Sequence, residues 1–184
     1  MGHSFGGLIG LVAATRAPDV VQAVAAYEPP QPWLPWWPDT SAGGAAARAD
    51  PADAAEAFLR RMVGDARWEA LPARTRELRR QEGTALSAEL ASVRASPVPP
   101  LEPDRLPVPL LVGRGSRSPA HLRRSAEELA RAVPGAELVE VQGSDHGAHL
   151  SHPAEFAAWA RRAVDLVRGK WSAPPGGGPD TLSG

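Results

Sequence analysis

The stretch Gly2-His3-Ser4-Phe5-Gly6-Gly7, running into Leu8-Ile9-Gly10-Leu11-Val12-Ala13-Ala14-Thr15-Arg16, decides how the rest of the chain is read. It sets Ser4 in a Gly-x-Ser-x-Gly pattern at the head of a small, apolar helix signal over residues 5–16. A serine lifted onto a tight strand-to-helix turn takes a strained backbone conformation. Side chains two residues to either side would collide with that turn, which calls for Gly2 and Gly6. The backbone N–H of Phe5, at the start of the helix, is then free to meet an oxyanion. Glycine in an exposed helix costs roughly 1 kcal/mol relative to alanine, so Gly6, Gly7 and Gly10 make sense where the helix lies close against a sheet. A plain glycine turn is the bland alternative, and the apolar helix that follows is the context that speaks against it.

Working outward, Pro18-Asp19 ends this helix and Val20–Tyr27, rich in Val and Ala, reads as a short buried strand stopped by Glu28-Pro29-Pro30. Residues 31–49 form a loop carrying Trp33, Trp36 and Trp37. Asp50 is a plausible N-cap with Pro51 at the first helical position, and Phe58, Leu59 and Met62 would be that helix's buried face. A second helix is expected from about Ala73 to Arg94, with Leu78, Leu86 and Leu90 on one side. Pro97 to Pro109 reads as an extended, proline-broken linker. Val108–Val112, ending at Gly113, is a second strand; Pro119–Val133 is an amphipathic helix; Glu137–Val141 is a third strand. Pro153 opens a last helix, striped by Phe156, Trp159, Ala160, Ala163, Val164 and Val167. The Gly/Pro-rich tail from Ser172 is expected to be disordered.

Strand and helix signals that alternate imply an α/β fold with a parallel sheet, here of about three strands, flanked by helices. The stretch 36–100 is too long for a simple crossover and is expected to form a helical cap over the strand ends. The resulting division is a first core segment at 1–35, the cap at 36–100, a second core segment at 101–170 and the tail at 171–184.

Composition narrows the function classes. With 43% hydrophobic and 22% charged residues, the chain is expected to be globular. Twenty basic against twenty-one acidic side chains leave a net charge of -1, with no excess positive charge to attract nucleic acid or an anionic membrane. Zero cysteines rule out disulfides, thiolate catalysis and zinc–sulfur sites. The apolar run Leu8–Ala14 is too short to span a bilayer and no signal-peptide layout precedes it, so a soluble cytoplasmic protein is expected.

A second chemical feature lies near the C-terminus, in Gly143-Ser144-Asp145-His146-Gly147-Ala148-His149-Leu150-Ser151-His152-Pro153. His146 sits on a loop between a strand and a Pro-started helix, where it can serve as a general base; a surface histidine is the alternative. His149 and His152 are read as structural or capping residues. A metal site made from the three is disfavoured by their spacing on an irregular loop and the lack of cysteine.

Taken together, the elbow, Tyr27-Glu28-Pro29-Pro30, the helical insertion and the late Gly-x-x-His-Gly loop resemble the α/β-hydrolase superfamily over about residues 1–170. The resemblance implies Ser4 as nucleophile, His146 as base and acid, and the Phe5 N–H as one oxyanion donor. The implied reaction is hydrolysis of a small, apolar ester or related acyl compound through a covalent serine intermediate, without metal or organic cofactor. His3, Trp33, Trp36 and Trp37 are expected to contact substrate, with packing within the cap the alternative use, and the slightly favoured one, for the tryptophans.

The chain departs from the family's usual pattern twice. Members commonly carry an aspartate after the penultimate strand, where this chain has Gly113-Arg114-Gly115-Ser116-Arg117-Ser118 and no carboxylate. Glu28, at the end of the strand next to the nucleophile, is the candidate substitute. A strand-end carboxylate held by backbone or arginine is its alternative reading, and Asp145 is expected to point away from His146. The second departure is at the start, where the strands that family members place before the elbow are not in the sequence. The edge beside Gly2-His3-Ser4 is therefore expected to be open and the other oxyanion donor missing, a loss worth about 2.7–4 kcal/mol by analogy. By itself the chain is expected to be poorly soluble or inactive. Two other readings stand beside hydrolysis: a cofactor-free haloperoxidase-like or acyltransferase member using the same serine, and a non-enzymatic fragment serving as an interaction module.

Overall fold

The computed structural model describes residues 1–94 and 101–169; the expected disordered tail and part of the proline-rich linker lie outside them. Its centre is a four-stranded, all-parallel sheet in the order β1 (Gly2–His3), β2 (Val24–Tyr27), β3 (Leu110–Gly115), β4 (Glu137–Val141). The three strands expected from hydrophobic runs are thus joined by a two-residue strand leading into Ser4.

Strand boundaries differ from the sequence reading for identifiable reasons. β2 begins at Val24 and not at Val20, because the chain after the first helix turns at 17–20 and leaves Val20 80% exposed. β3 extends past Gly113 to Gly115, where parallel pairing with β4 persists through Arg114↔Glu140 and Gly115↔Val141. Arg114 joins the strand by ion-pairing with Glu127 and Glu140.

Side-chain alternation along β2 builds two cores. On one face Val24 and Ala26 pack with Leu110 and Val112, covered by Leu11 and Ala14 of α1 (Phe5–Arg16) and by Ala126 and Leu129 of α7 (Ala120–Ala132). On the other face Ala25, Tyr27 and Leu111 meet Trp159, Phe156 and Ala160 of α9 (Pro153–Gly169). The stretch expected to be an extended linker contributes to the first core: Leu101, Leu106 and Val108 are buried, around a 3-10 turn at Pro103–Arg105.

Between β2 and β3 lies a helical insertion of α2 (Ala42–Arg48), α3 (Ala54–Val63), α4 (Asp65–Ala70), α5 (Ala73–Gln81) and α6 (Gly83–Arg94). The single helix expected over 73–94 is broken at Glu82. Gly83 packs so tightly that a Cβ there would lie 2.3 Å from the Pro51 carbonyl oxygen. α5 buries none of its residues, and Leu78, expected on one side of a single helix with Leu86 and Leu90, is exposed. The anchor of the insertion is Trp68 on α4, fully buried and flanked by the guanidinium groups of Arg60 and Arg80 at 5.9 and 5.8 Å. These arginines join Glu56, Glu69 and Asp65 in one ion-pair network. α8 (Ala148–Ser151) is a single turn leading into α9. No helix among the described residues is long and apolar enough to cross a membrane.

Candidate active site

Parallel strands deliver their carboxyl ends to one edge of the sheet, and the register sets what meets there. His3 pairs with Tyr27, and Tyr27 with Gly113, so the residues following β1 and β2, Ser4 and Glu28, emerge side by side. The two are also the non-glycine residues with positive φ among the described residues, 53° for Ser4 and 46° for Glu28. Such conformations cost of order 1–3 kcal/mol each and persist only where surrounding structure imposes them. For Ser4 the constraint is its N–H, which donates to Tyr27 O at 2.8 Å, and its carbonyl, which receives Gly7 N–H at 2.9 Å. Glu28 is fixed by its N–H donating to Gly113 O at 2.9 Å.

The glycines around Ser4 do different jobs. A Cβ on Gly2 would lie 2.2 Å from the Gly6 carbonyl oxygen, and one on Gly7 would press on Ala26 at 3.2 Å. A Cβ on Gly6 would meet nothing within 4 Å, so the expected collision holds on the Gly2 side alone. Phe5 opens α1, and its N–H belongs to the first turn, whose donors have no intrahelical partner.

Glu28 is fully buried. Its Oε1 accepts the Gly115 N–H at 2.8 Å, and its Oε2 accepts the His146 Nδ1–H at 2.6 Å. Donation from Nδ1 leaves Nε2 of the neutral ring unprotonated and able to take a proton. Asp145 turns its carboxylate the other way, accepting the Gly147 N–H at 2.8 Å. Two positions of the Gly113–Ser118 segment have no room for a side chain. A Cβ on Gly113 would meet the Tyr27 and Trp159 rings at 2.5 and 2.8 Å, and one on Gly115 would meet Ser144 O at 2.6 Å. Gly115, whose N–H holds Glu28, is a site residue that the sequence reading missed; a strand ending in Gly-Arg-Gly was its signal.

His3, expected to contact substrate, borders the outer cavity and also braces the site. Its Nε2–H donates to the His146 carbonyl at 2.6 Å, and its ring lies 4.4 Å from that of His146 and 4.8 Å from that of His149. Burial, and then the neighbouring His146, push its pKa down to about 4, so His3 is a neutral strut tying the elbow to the His146 loop. The other support is Tyr27, whose hydroxyl lies 3.2 Å from Ser144 Oγ and donates to the Asp145 carbonyl at 3.4 Å. Burial drives the Tyr27 hydroxyl pKa up.

Ser4 and His146 border two cavities, with Phe58 and Met62 of α3 standing between them. The inner one, about 90 Å³, is walled by Phe5, Trp37, Leu86, Leu90, Val93 and Leu122. The outer one, about 570 Å³, is bordered by His3, Arg67, Arg117, Asp145, His149 and Ser151. Of the three tryptophans expected to line a pocket, Trp37 does so. Trp36 is drawn to α7 instead, where its Nε1–H donates to Glu128 at 3.0 Å and Arg124 covers its ring at 4.1 Å; Trp33 packs against the sheet core. His152 contacts Ser151 Oγ at 2.8 Å, away from the pair.

The sequence profile of the α/β hydrolase family matches residues 1–159. The chain belongs to that family. No curated protein matched it. Among solved structures, an enol-lactonase from Burkholderia xenovorans is 25% identical with a TM-score of 0.61, covering 91% of this chain and 64% of that one. A hydrolase from Pseudomonas aeruginosa is 21% identical with a TM-score of 0.63, covering 89% of this chain and 63% of that one. A membrane phospholipase A is 22% identical with a TM-score of 0.64, covering 91% and 56%. This α/β hydrolase chain therefore spans less than two thirds of the length of these structures. Among its described residues no group of three or more His, Asp or Glu side chains is arranged to hold a metal ion.

Proposed function

We propose that the chain carries the catalytic machinery of a serine hydrolase acting on carboxylic esters or related acyl compounds. The observation that carries this reading is the buried 2.6 Å bond from His146 Nδ1–H to Glu28, made in the cavity wall that also holds Ser4. The positive φ of Ser4 and of Glu28 supports it, since backbone strain gathers at the same two residues.

In this mechanism Ser4 Oγ attacks the acyl carbon while its proton passes to His146 Nε2. The carbonyl oxygen, now an alkoxide, faces the Phe5 N–H. The Glu28 carboxylate holds the ring in its Nδ1–H tautomer and stabilises the imidazolium. The C–O bond to the alcohol then breaks, and the departing oxygen takes the proton from Nε2, leaving an acyl-Ser4 ester. Water gives a proton to Nε2 and attacks that ester; Nε2 then returns the proton to Ser4 Oγ as the acid leaves. The route uses no cofactor. Similarity to an enol-lactonase puts cyclic enol esters among the compounds to try.

Acid-quenched reaction with p-nitrophenyl hexanoate, followed by peptide mass spectrometry, tests this. A hexanoyl group on Ser4 that turns over to hexanoate in water is the expected result, at a rate about 10²–10³-fold lower than with a second oxyanion donor in place. Turnover undiminished in Ser4→Ala would reject the assignment, and transfer to an added alcohol in preference to water would reassign the chain to acyl transfer.

A further inference from the structure

Several arginines among the described residues have carboxylate partners: Arg60, Arg76, Arg80, Arg114, Arg124 and Arg162. Arg67 and Arg117 have none among the described residues, and both border the outer cavity that contains Ser4 and His146. They come from different elements. Arg67 is on α4 of the helical insertion, beside the fully buried anchor Trp68. Arg117 is on the β3–α7 loop, where its backbone N–H donates to Ser144 O at 2.8 Å and so ties it to the His146 loop. The acid facing the same cavity, Asp145, already accepts the Gly147 N–H.

Ser4 and His146 border both cavities, so in the proposed mechanism the two halves of an ester would occupy one each. Phe5, whose N–H would meet the carbonyl oxygen, borders the inner cavity, and so the acyl chain enters there among Leu86, Leu90 and Leu122. The loop from Asp145 to Ser151 borders the outer cavity, which would then take the alcohol half.

Building on the proposed serine chemistry, we infer that the substrate is an ester of an apolar acid with an alcohol or phenol bearing a carboxylate, which Arg67 and Arg117 bind. Planar guanidinium forks suit a carboxylate. Both side chains are exposed, so each is expected to contribute a modest factor and the pair about tenfold in affinity.

Binding in a Ser4→Ala background tests the inference separately from the chemistry. The probes are 4-(hexanoylamino)benzoate and its uncharged carboxamide, with calorimetry as the readout. The benzoate is expected to bind about tenfold tighter at low salt. Arg117→Gln and Arg67→Gln should each remove severalfold of that preference, whereas Arg16→Gln, on the far end of α1, should leave it unchanged. Equal affinity for the two probes, or a benzoate preference that survives both substitutions, would overturn the inference. Failure of the unsubstituted protein to acylate Ser4 would instead count against the hydrolase reading and leave this comparison to decide the anion site on its own.

Discussion

Replacing Glu28 with glutamine keeps the shape of the side chain and changes its hydrogen-bonding capacity. Both carboxylate oxygens are acceptors in the protein, one for Gly115 N–H at 2.8 Å and one for His146 Nδ1–H at 2.6 Å. An amide offers one acceptor and one donor. If its oxygen stays on His146, its NH2 opposes the Gly115 N–H at a fully buried position, and an unsatisfied buried donor costs about 1–3 kcal/mol. If its oxygen stays on Gly115, its NH2 faces Nδ1, which can become an acceptor by moving the ring proton to Nε2. A neutral imidazole permits that tautomer, so the second arrangement wins. The base is then protonated on the nitrogen that should accept the serine proton. Loss of the correct tautomer lowers turnover by about 10⁴-fold in a comparable triad, equivalent to about 5.5 kcal/mol of barrier. Steady-state hydrolysis of p-nitrophenyl hexanoate measures the loss, and long-range ¹H–¹⁵N correlation of the His146 ring measures its cause. Ser116→Ala serves as the control, since Ser116 Oγ only accepts the Gly143 N–H. Less than a tenfold loss in Glu28→Gln, or an Nδ1–H tautomer retained in that variant, would refute the reasoning.

Other consequences follow from the same geometry. Gly2→Ala should abolish folding or activity because its Cβ meets the Gly6 carbonyl, while Gly6→Ala, with nothing within 4 Å, should keep activity and gain up to about 1 kcal/mol in thermal melting. Trp68→Ala should cost about 3–5 kcal/mol in denaturant unfolding. Trp68→Phe should cost much less, because the indole Nε1–H has no hydrogen-bond partner among the described residues. His3 is held at about 4 against an ordinary 6.5, so between those values the unfolded chain binds a proton that the folded one refuses. Stability should therefore fall as pH drops from 6.5 towards 4, and His121, also lowered by burial, acts in the same direction. Melting curves across that range should show a shallower decline in His3→Phe than in the parent, and equal slopes would contradict the assignment.

Much of the fold could be read from the chain because its signals are local. Apolar runs at β2, β3 and β4, and the glycine-flanked serine before an apolar helix, each reflect periodicity or turn chemistry within a few residues. What escaped depended on distant partners. Glu82 divides a continuous helical pattern because Gly83 meets the Pro51 carbonyl across the insertion. Leu101, Leu106 and Val108 look like linker residues until α1 and α7 bury them. Trp33 and Trp36 look equivalent to Trp37, and only the positions of Glu128, Arg124 and the sheet core separate them. At the site, residue types pointed to Ser4, His146 and Glu28, whereas the roles of Gly115 and His3 depend on where a backbone N–H and a backbone carbonyl fall in three dimensions.

The central claim is that Ser4 is a nucleophile activated by His146. Labelling the folded protein with a fluorophosphonate probe, and locating the adduct by peptide mass spectrometry, tests it most directly. An adduct on Ser4 is expected, one that disappears in Ser4→Ala and forms far more slowly in His146→Ala. Folded protein that stays unlabelled, or that carries the label on another serine, would contradict it.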